Sequence, residues 1–287
     1  MKTKPKSETF NSVGFIGGGN MGEAMIGALA RTGRFPPDQI FVSDASSERL
    51  DFLKKTYGVS TTLDNGDVFQ NADVVVLAVK PQQMAPVLSG IADAPVARRK
   101  LIISIAAGFP ISRMEEILYA DRPAEEREKL PIVRVMPNTP SLVEAGMSGM
   151  SPNSHAAPAD VSAAENILSA MGRVRVFQEA ELDAVTGVSG SGPAYVFYLA
   201  EAMAEGGVAA GLEADAAAEL ALATIEGAAR LMREREESPA ELRRKVTSPG
   251  GTTQAALEHM EANQVRRHIA DAIVAAARRA AELSRPE

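Results

Sequence analysis

The 287-residue sequence contains no cysteine and no tryptophan, three histidines (His155, His259 and His268), and only 5% aromatic residues. Without a thiol there can be no disulfide, thiolate nucleophile, zinc ribbon or iron–sulfur ligation. The three histidines are scattered, and His259 and His268 lack the i, i+4 spacing of a helical metal pair. No metal site and no Ser-His-Asp relay is therefore expected. No apolar run approaches the ~18 residues of a membrane span. With 30 basic and 37 acidic side chains the formal net charge is −7, which disfavours nucleic acid or a membrane as partner. These absences point to a bound cofactor for the hard chemistry of any enzyme with this composition.

What is present begins with length enough for about two domains of roughly 150 residues each. The basic start, Met1 to Glu8, precedes no apolar run of signal-peptide length, so residues 1–12 read as a disordered tail. The absence of cysteine fits a reducing compartment, and a cytoplasmic protein is expected. Short β-branched runs follow at Val13–Ile16, Ile40–Ser43, Val74–Val79, Leu101–Ile105, Ile132–Met136 and Val174–Phe177. Between most of them lie helix-like stretches. Residues 21–32 put Met21, Met25, Ile26 and Leu29 on one face and stop at Gly33. Ser112-x-x-Glu115 reads as a capping box, and the charged run Asp121–Lys129 as a solvated loop. Such alternation predicts an α/β domain, a Rossmann-type parallel sheet over residues 13–179.

After Tyr198 no aromatic residue occurs, and alanine, leucine, glutamate and arginine dominate. Ser238-Pro239-Ala240-Glu241 supplies an N-cap, a first-turn proline and a capping-box glutamate; residues 255–262 and 265–284 also read as helices. An all-α domain is expected over 180–287. Its apolar residues are small, so a monomer core would be thin: the segment reads either as an ordinary small bundle or as one in which two chains complete each other's core.

Three loops could carry chemistry. Gly17, Gly19 and Gly22 fit G-x-G-x-x-G, placed after a strand and before a helix; Asn20 and Met21 lie within it. The first glycine makes the turn, the second lets backbone approach a pyrophosphate, and the third allows helix–strand packing. Asp44, 22 residues beyond Gly22, could accept a ribose 2′-hydroxyl as in NAD sites, or cap a helix; Ser46, Ser47 and Arg49 could hold a 2′-phosphate. NAD and NADP both stay open. The second loop, Ser189-Gly190-Ser191-Gly192-Pro193, reads as a flexible connector with Pro193 in a first helical turn. The third, Thr247 to Gln254, frees its backbone through Gly250 and Gly251 and could cradle a small carboxylate, or merely cap a helix.

Together these segments resemble pyrroline-5-carboxylate reductases from about Val13 to Ala280. The most specific pieces are Asp183-Ala-Val-Thr-Gly-Val-Ser-Gly-Ser-Gly-Pro-Ala-Tyr195 and Ser248-Pro-Gly-Gly-Thr-Thr253. Val79-Lys80-Pro81, Ser104-Ile-Ala-Ala-Gly108 and Met136-Pro-Asn-Thr-Pro140 match in the same order. The resemblance implies NADPH, with NADH possible, bound to the first domain, and a helical domain interlocked with a second subunit as a homodimer or an oligomer of dimers. It implies that Ser248, Gly250, Gly251, Thr252 and Thr253 bind 1-pyrroline-5-carboxylate, the last through its hydroxyl on the ring nitrogen. Asn65 matches a contact to the adenosine ribose or its 2′-phosphate. Ala78, Val79, Lys80 and Pro81, with Ala106 and Asn138, would lie along the cofactor, toward its nicotinamide half. The alternatives are a hydroxyacid dehydrogenase, for which Lys245 is the available acid–base lysine, and a non-catalytic dinucleotide-sensing module. Lys245 itself, in Arg243-Arg244-Lys245, reads as a surface lysine.

Overall fold

The computed structural model describes residues 10–284. Its strands are β1 (Val13–Ile16), β2 (Ile40–Ser43), β3 (Ser60–Thr62), β4 (Val74–Leu77), β5 (Leu101–Ser104), β6 (Ile132–Met136), β7 (Gly146–Pro152) and β8 (Gly172–Val176). They form one sheet in the order β3-β2-β1-β4-β5-β6-β7-β8. Only β6 and β7 pair antiparallel; the other neighbours are parallel. Every residue of β1, β4 and β5 is buried. Helices cover both faces of such a sheet, so its central strands carry continuous apolar runs. Those helices are α1 (Asn20–Thr32), α2 (Ser47–Tyr57), α3 (Asn65–Asn71), α4 (Pro81–Ala92), α5 (Ile111–Leu118), α6 (Ala124–Glu128) and α7 (Pro158–Leu168). The order reverses between β1 and β4, which opens a crevice beyond their carboxyl ends.

Several elements differ from the sequence reading. β3 and β7 are not evident from the sequence: β3, Ser-Thr-Thr, is an edge of only three residues, too short to show an alternation, and β7, Gly-Met-Ser-Gly-Met-Ser-Pro, has no β-branched residue. Their neighbours' ladders hold them. The strands expected to reach Val79 and Ile105 stop at Leu77 and Ser104, and the one expected at Val174–Phe177 spans Gly172–Val176. Ser112 caps nothing: α5 starts at Ile111 after Pro110, and Ile111 N–H donates instead to Glu179 Oε1 at 2.7 Å, 68 residues away. The run Asp121–Lys129 is not a solvated loop but contains α6 and the buried Arg122. Gly33, at φ +64°, ends α1 as expected. Of the expected tail, Phe10 packs on the core, Asn11 N–H donates to Asp73 Oδ2 at 2.9 Å, and Ser12 is buried; the rest lies outside the described residues.

After β8 come α8 (Leu182–Val185), a π turn at Thr186–Gly190, and α9 (Gly192–Ala209), α10 (Ala214–Glu234), α11 (Pro239–Lys245), α12 (Thr252–Ala262) and α13 (Val265–Leu283). Ser238 Oγ accepts from Glu241 N–H while the Glu241 carboxylate accepts from Ser238 N–H, the reciprocal cap expected there. Two compact units result: the described residues up to Gly190 with those from Ala277 on, and Ser191–Ala276. The first unit thus reaches beyond the expected boundary at 179. Arg134 of β6 pairs with Glu179 at 3.0 Å and Asn138 bonds Ser189, so the chain stays with the sheet through the π turn.

The second unit by itself has a thin core. Its only fully buried apolar residues are Ala217 and Ala221, among the described residues. Gly207 of α9 lets α10 approach until an added Cβ would stand 2.9 Å from Ala217 Cβ. α9 is apolar apart from Glu201 and Glu205 yet has no buried residue; Phe197 is 62% and Tyr198 75% exposed. No helix among the described residues is long and apolar enough to cross a membrane.

Candidate functional site

The carboxyl ends of the central strands are stitched together by backbone. Gly17 N–H donates to Ser43 O at 2.8 Å, Ala78 N–H to Ile16 O at 2.8 Å, and Ile105 N–H to Leu77 O at 3.1 Å. This aligns the glycine loop, Asp44, Ala78 and Ala106 along one edge of the sheet. Gly17 has φ +101°, and a Cβ there would strike Ala78 O at 2.7 Å. A Cβ on Gly22 would strike Gly17 O at 2.6 Å, so helix and strand need glycine at both places. Gly19 is different: a Cβ there would meet nothing within 4 Å. It is the N-cap of α1 and offers no side-chain cap. The first-turn N–H groups of Asn20, Met21 and Gly22 have no intrahelical partner, and the helix dipole adds positive potential. An open glycine before an uncapped helix start fits a pyrophosphate, so the residues present suit a dinucleotide.

Asp44 does not cap α2; Ser46 does, accepting from Arg49 N–H at 3.2 Å. The Asp44 carboxylate instead spans the loop, one oxygen taking Gly18 N–H at 2.8 Å and the other Ser46 N–H at 2.9 Å. Arg49 donates to Gly18 O, pairs with Glu23 and lies over the Phe52 ring. Tyr57 donates its hydroxyl to the same Glu23 at 2.9 Å, and burial followed by that bond pushes its pKa up. Gly18 acts through Asp44 and Arg49, and Glu23 through Arg49 and Tyr57, contacts 26 to 34 residues apart that no local motif contains. Asn65 starts α3 and accepts from Ser43 Oγ at 2.8 Å, which brings it to the end of β2.

Lys80 is exposed and precedes Pro81, the first residue of α4. Ala106 is buried, and its N–H donates to Ser104 Oγ at 3.4 Å. Asn138 is engaged inside the protein. Its Nδ2 donates to Ser189 O and Oγ, both at 3.2 Å, and its Oδ1 accepts Met147 N–H at 2.9 Å. The Ser189-Gly190 segment is consequently no free connector. A Cβ on Gly190 would stand 2.4 Å from Met136 Cε, the mobile end of a side chain packed against this turn.

The third loop lies in the second unit. Gly250, at φ +71°, and Gly251 bring the chain round to α12, whose N-cap Gly251 has no side-chain cap. A Cβ on Gly251 would lie 2.4 Å from Ser248 Oγ, so the two residues are in close approach. Only part of the expected N–H cradle is open. Gly251 N–H donates to Ser248 O at 3.0 Å and Gly250 N–H to Gln254 Oε1 at 2.7 Å. Thr252 and Thr253 N–H, at the start of the helix, make no hydrogen bond among the described residues. Thr247 is turned away, its hydroxyl on Arg243 O at 2.7 Å. Lys245 is 61% exposed and ion-paired with Glu237, a surface lysine.

The family model described as "Pyrroline-5-carboxylate reductase dimerisation" matches residues 179–283, and that described as "NADP oxidoreductase coenzyme F420-dependent" matches residues 12–108. The chain is 43% identical to a pyrroline-5-carboxylate reductase of Synechocystis, covering 95% of this chain and 98% of that one. It is 42% identical to the one from Pseudomonas aeruginosa, over 95% and 96%. The solved structure of a Coxiella burnetii pyrroline-5-carboxylate reductase superposes with a TM-score of 0.89 at 39% identity, covering 97% of this chain and 100% of that one. A Plasmodium falciparum pyrroline carboxylate reductase with NADP bound gives 0.83 at 28% identity, over 96% and 98%. Because this identity runs through nearly the whole of both chains, and not through the widely shared glycine loop alone, the chain belongs to the pyrroline-5-carboxylate reductase family.

Proposed function

We propose that this chain reduces 1-pyrroline-5-carboxylate to L-proline with NADPH, and accepts NADH as well. The observation that carries the reading is the near-full-length identity to reductases of this name, 36–43% in the relatives compared. Bound NADPH supplies a hydride to the imine carbon. Gly17, Gly19, Asn20, Met21 and Gly22 hold its pyrophosphate, and Asp44, Ser46 and Asn65 its adenosine ribose. Ala78, Val79, Lys80 and Pro81, with Ala106 and Asn138, flank the rest of it. In this reading residues 13–179 serve the cofactor and 180–287 the substrate and the subunit contact.

Ser248, Gly250, Gly251, Thr252 and Thr253 hold the substrate. The N–H groups of Thr252 and Thr253, together with that of Gly250, take its carboxylate, and the Thr253 hydroxyl, without a hydrogen-bond partner among the described residues, bonds the ring nitrogen. A cyclic imine protonates readily, and the protonated carbon accepts hydride without a strong protein acid. Holding the two reactants in register is the main task left to the protein. A lysine-dependent hydroxyacid dehydrogenase is not favoured, since Lys245 is ion-paired with Glu237.

The exposed apolar length of α9 supports a homodimer, and larger assemblies of dimers are compatible with it. The absence of cysteine supports a cytoplasmic setting. The test is NADPH and NADH oxidation with 1-pyrroline-5-carboxylate, measured side by side. Turnover with neither cofactor would refute the reading, and faster turnover with NADH would reverse the proposed preference.

A further inference from the structure

The loop assigned to the substrate already has an occupant from its own chain. Gly250, in the left-handed region, points its N–H toward the first turn of α12, where Gln254 Oε1 accepts it at 2.7 Å. The other end of that amide is tied as well: Gln254 Nε2 donates to Glu258 Oε1 at 2.7 Å, one turn further along the same helix face. Nε2 can only donate and the Glu258 carboxylate accepts, so the tether fixes Oε1 as the end that meets Gly250. An amide oxygen on a loop N–H beside a helix start stands where one oxygen of a bound carboxylate would stand. The neighbouring donors, Thr252 and Thr253 N–H, are left open.

We propose that Gln254 is a placeholder for the substrate carboxylate, held by Glu258, which a carboxylate ligand must displace from Gly250 N–H. The proposal rests on the reading of this loop as the substrate site. The placeholder keeps Gly250 turned inward in the free protein and sets back carboxylate affinity by the hydrogen bond that is broken. A net hydrogen bond of ordinary strength corresponds to roughly a three- to tenfold effect.

The experiment uses the full-length protein and L-proline as carboxylate probe, titrated calorimetrically in the presence of NADP⁺, with KM for 1-pyrroline-5-carboxylate measured in parallel. Gln254→Ala is expected to lower both the Kd for L-proline and the KM about three- to tenfold, and to raise kcat/KM accordingly. Glu258→Ala, which leaves the loop intact and only unties the amide, should move both the same way by less. Gln254→Glu keeps an acceptor on Gly250 but sets a negative charge beside the ligand's carboxylate, and should raise both at least tenfold. A Kd for L-proline that is unchanged or raised in Gln254→Ala overturns the placeholder and makes Gln254 a residue that merely orders the loop. So does the absence of proline binding in all four proteins. A wild-type protein that binds L-proline but never oxidises NADPH with the imine overturns the reaction assignment alone.

Discussion

Gly19 and Gly22 sit three residues apart in one loop and are glycine for different reasons. Space decides: an added Cβ at Gly22 meets Gly17 O at 2.6 Å, and at Gly19 it meets nothing within 4 Å. Gly22→Ala is expected to destabilise the fold by about 1–3 kcal/mol through overpacking. Gly19→Ala should leave the melting temperature nearly unchanged while weakening NADPH binding at least tenfold, because the methyl enters the space the cofactor needs. Thermal melts and fluorescence titration of NADPH separate the two, and a destabilised Gly19→Ala would assign that glycine to the fold. At Thr253, removal of the hydroxyl in Thr253→Ala is expected to cost on the order of 10²-fold in turnover with NADPH binding retained. Thr253→Ser should recover most of it; unchanged turnover in the alanine variant would remove Thr253 from the mechanism.

Lys100 is a residue-scale cost outside the site. It is 3% exposed, lies over the Phe69 ring, donates to Ala72 O, and has its pKa lowered to about 8, by burial first and then by Arg98, with Asp73 opposing. Between pH 8 and the ordinary lysine value near 10.5 the unfolded chain holds this proton and the folded chain does not. Stability attributable to Lys100 must therefore rise with pH across that window, on the order of 3 kcal/mol in all. Tyr57 and Tyr119, whose pKa values burial raises, act in the opposite sense above pH 10. Urea unfolding at pH 7.5 and 9.5 should show the rise in the wild type and its absence in Lys100→Met; equal slopes would show that the buried amine is not desolvated in the folded state.

At the scale of elements, helices were readable where the code is local and unreadable where it is not. The Ser238 cap and the Gly33 stop are contained in a few neighbouring residues, and both stand as the sequence reads. The start of α5 depends on Glu179, which no local window contains. Arg122 is the clearest case. In a charged run its guanidinium looks like surface, yet it donates to Leu118 O at 2.9 Å, Ala94 O at 2.8 Å and Ala92 O, and pairs with Glu126 at 2.9 Å. It thereby caps the carboxyl ends of α4 and α5 together. Arg122→Leu should cost about 2–4 kcal/mol, since it strands several buried carbonyls. Lysine should not rescue it, because one ammonium cannot reproduce the planar fork. A loss under 1 kcal/mol in denaturant unfolding would return Arg122 to the surface.

For the whole molecule the decisive feature is the imbalance between its two units. The first contains two extensive apolar clusters, one on each side of the sheet, while the second buries little beyond two alanines and leaves Phe197 and Tyr198 open. A unit with so little core should not persist alone. Sedimentation at micromolar concentration is expected to show no stable monomer, and Phe197→Glu with Tyr198→Glu should dissociate or unfold the assembly. A folded, active monomer would refute this.

The sequence by itself determined the sheet class, the glycine loop at the switch point, the helical second half and the family, because each is written in periodicity, spacing or contiguous motif. Cofactor chemistry was likewise foreseeable from the absence of cysteine and the scarcity of histidine. Only the tertiary structure made Asp44 a brace on Gly18 rather than a helix cap, drew the π turn back to Asn138, buried Arg122 and placed Gln254 on Gly250. Apart from the Gln254 bond, these arrangements join residues far apart in the chain or depend on how separate elements pack. Even there the choice depends on a side-chain rotamer that three-dimensional packing, not composition, selects. Donors and acceptors can be counted along a chain, but which of them meet is a property of the fold.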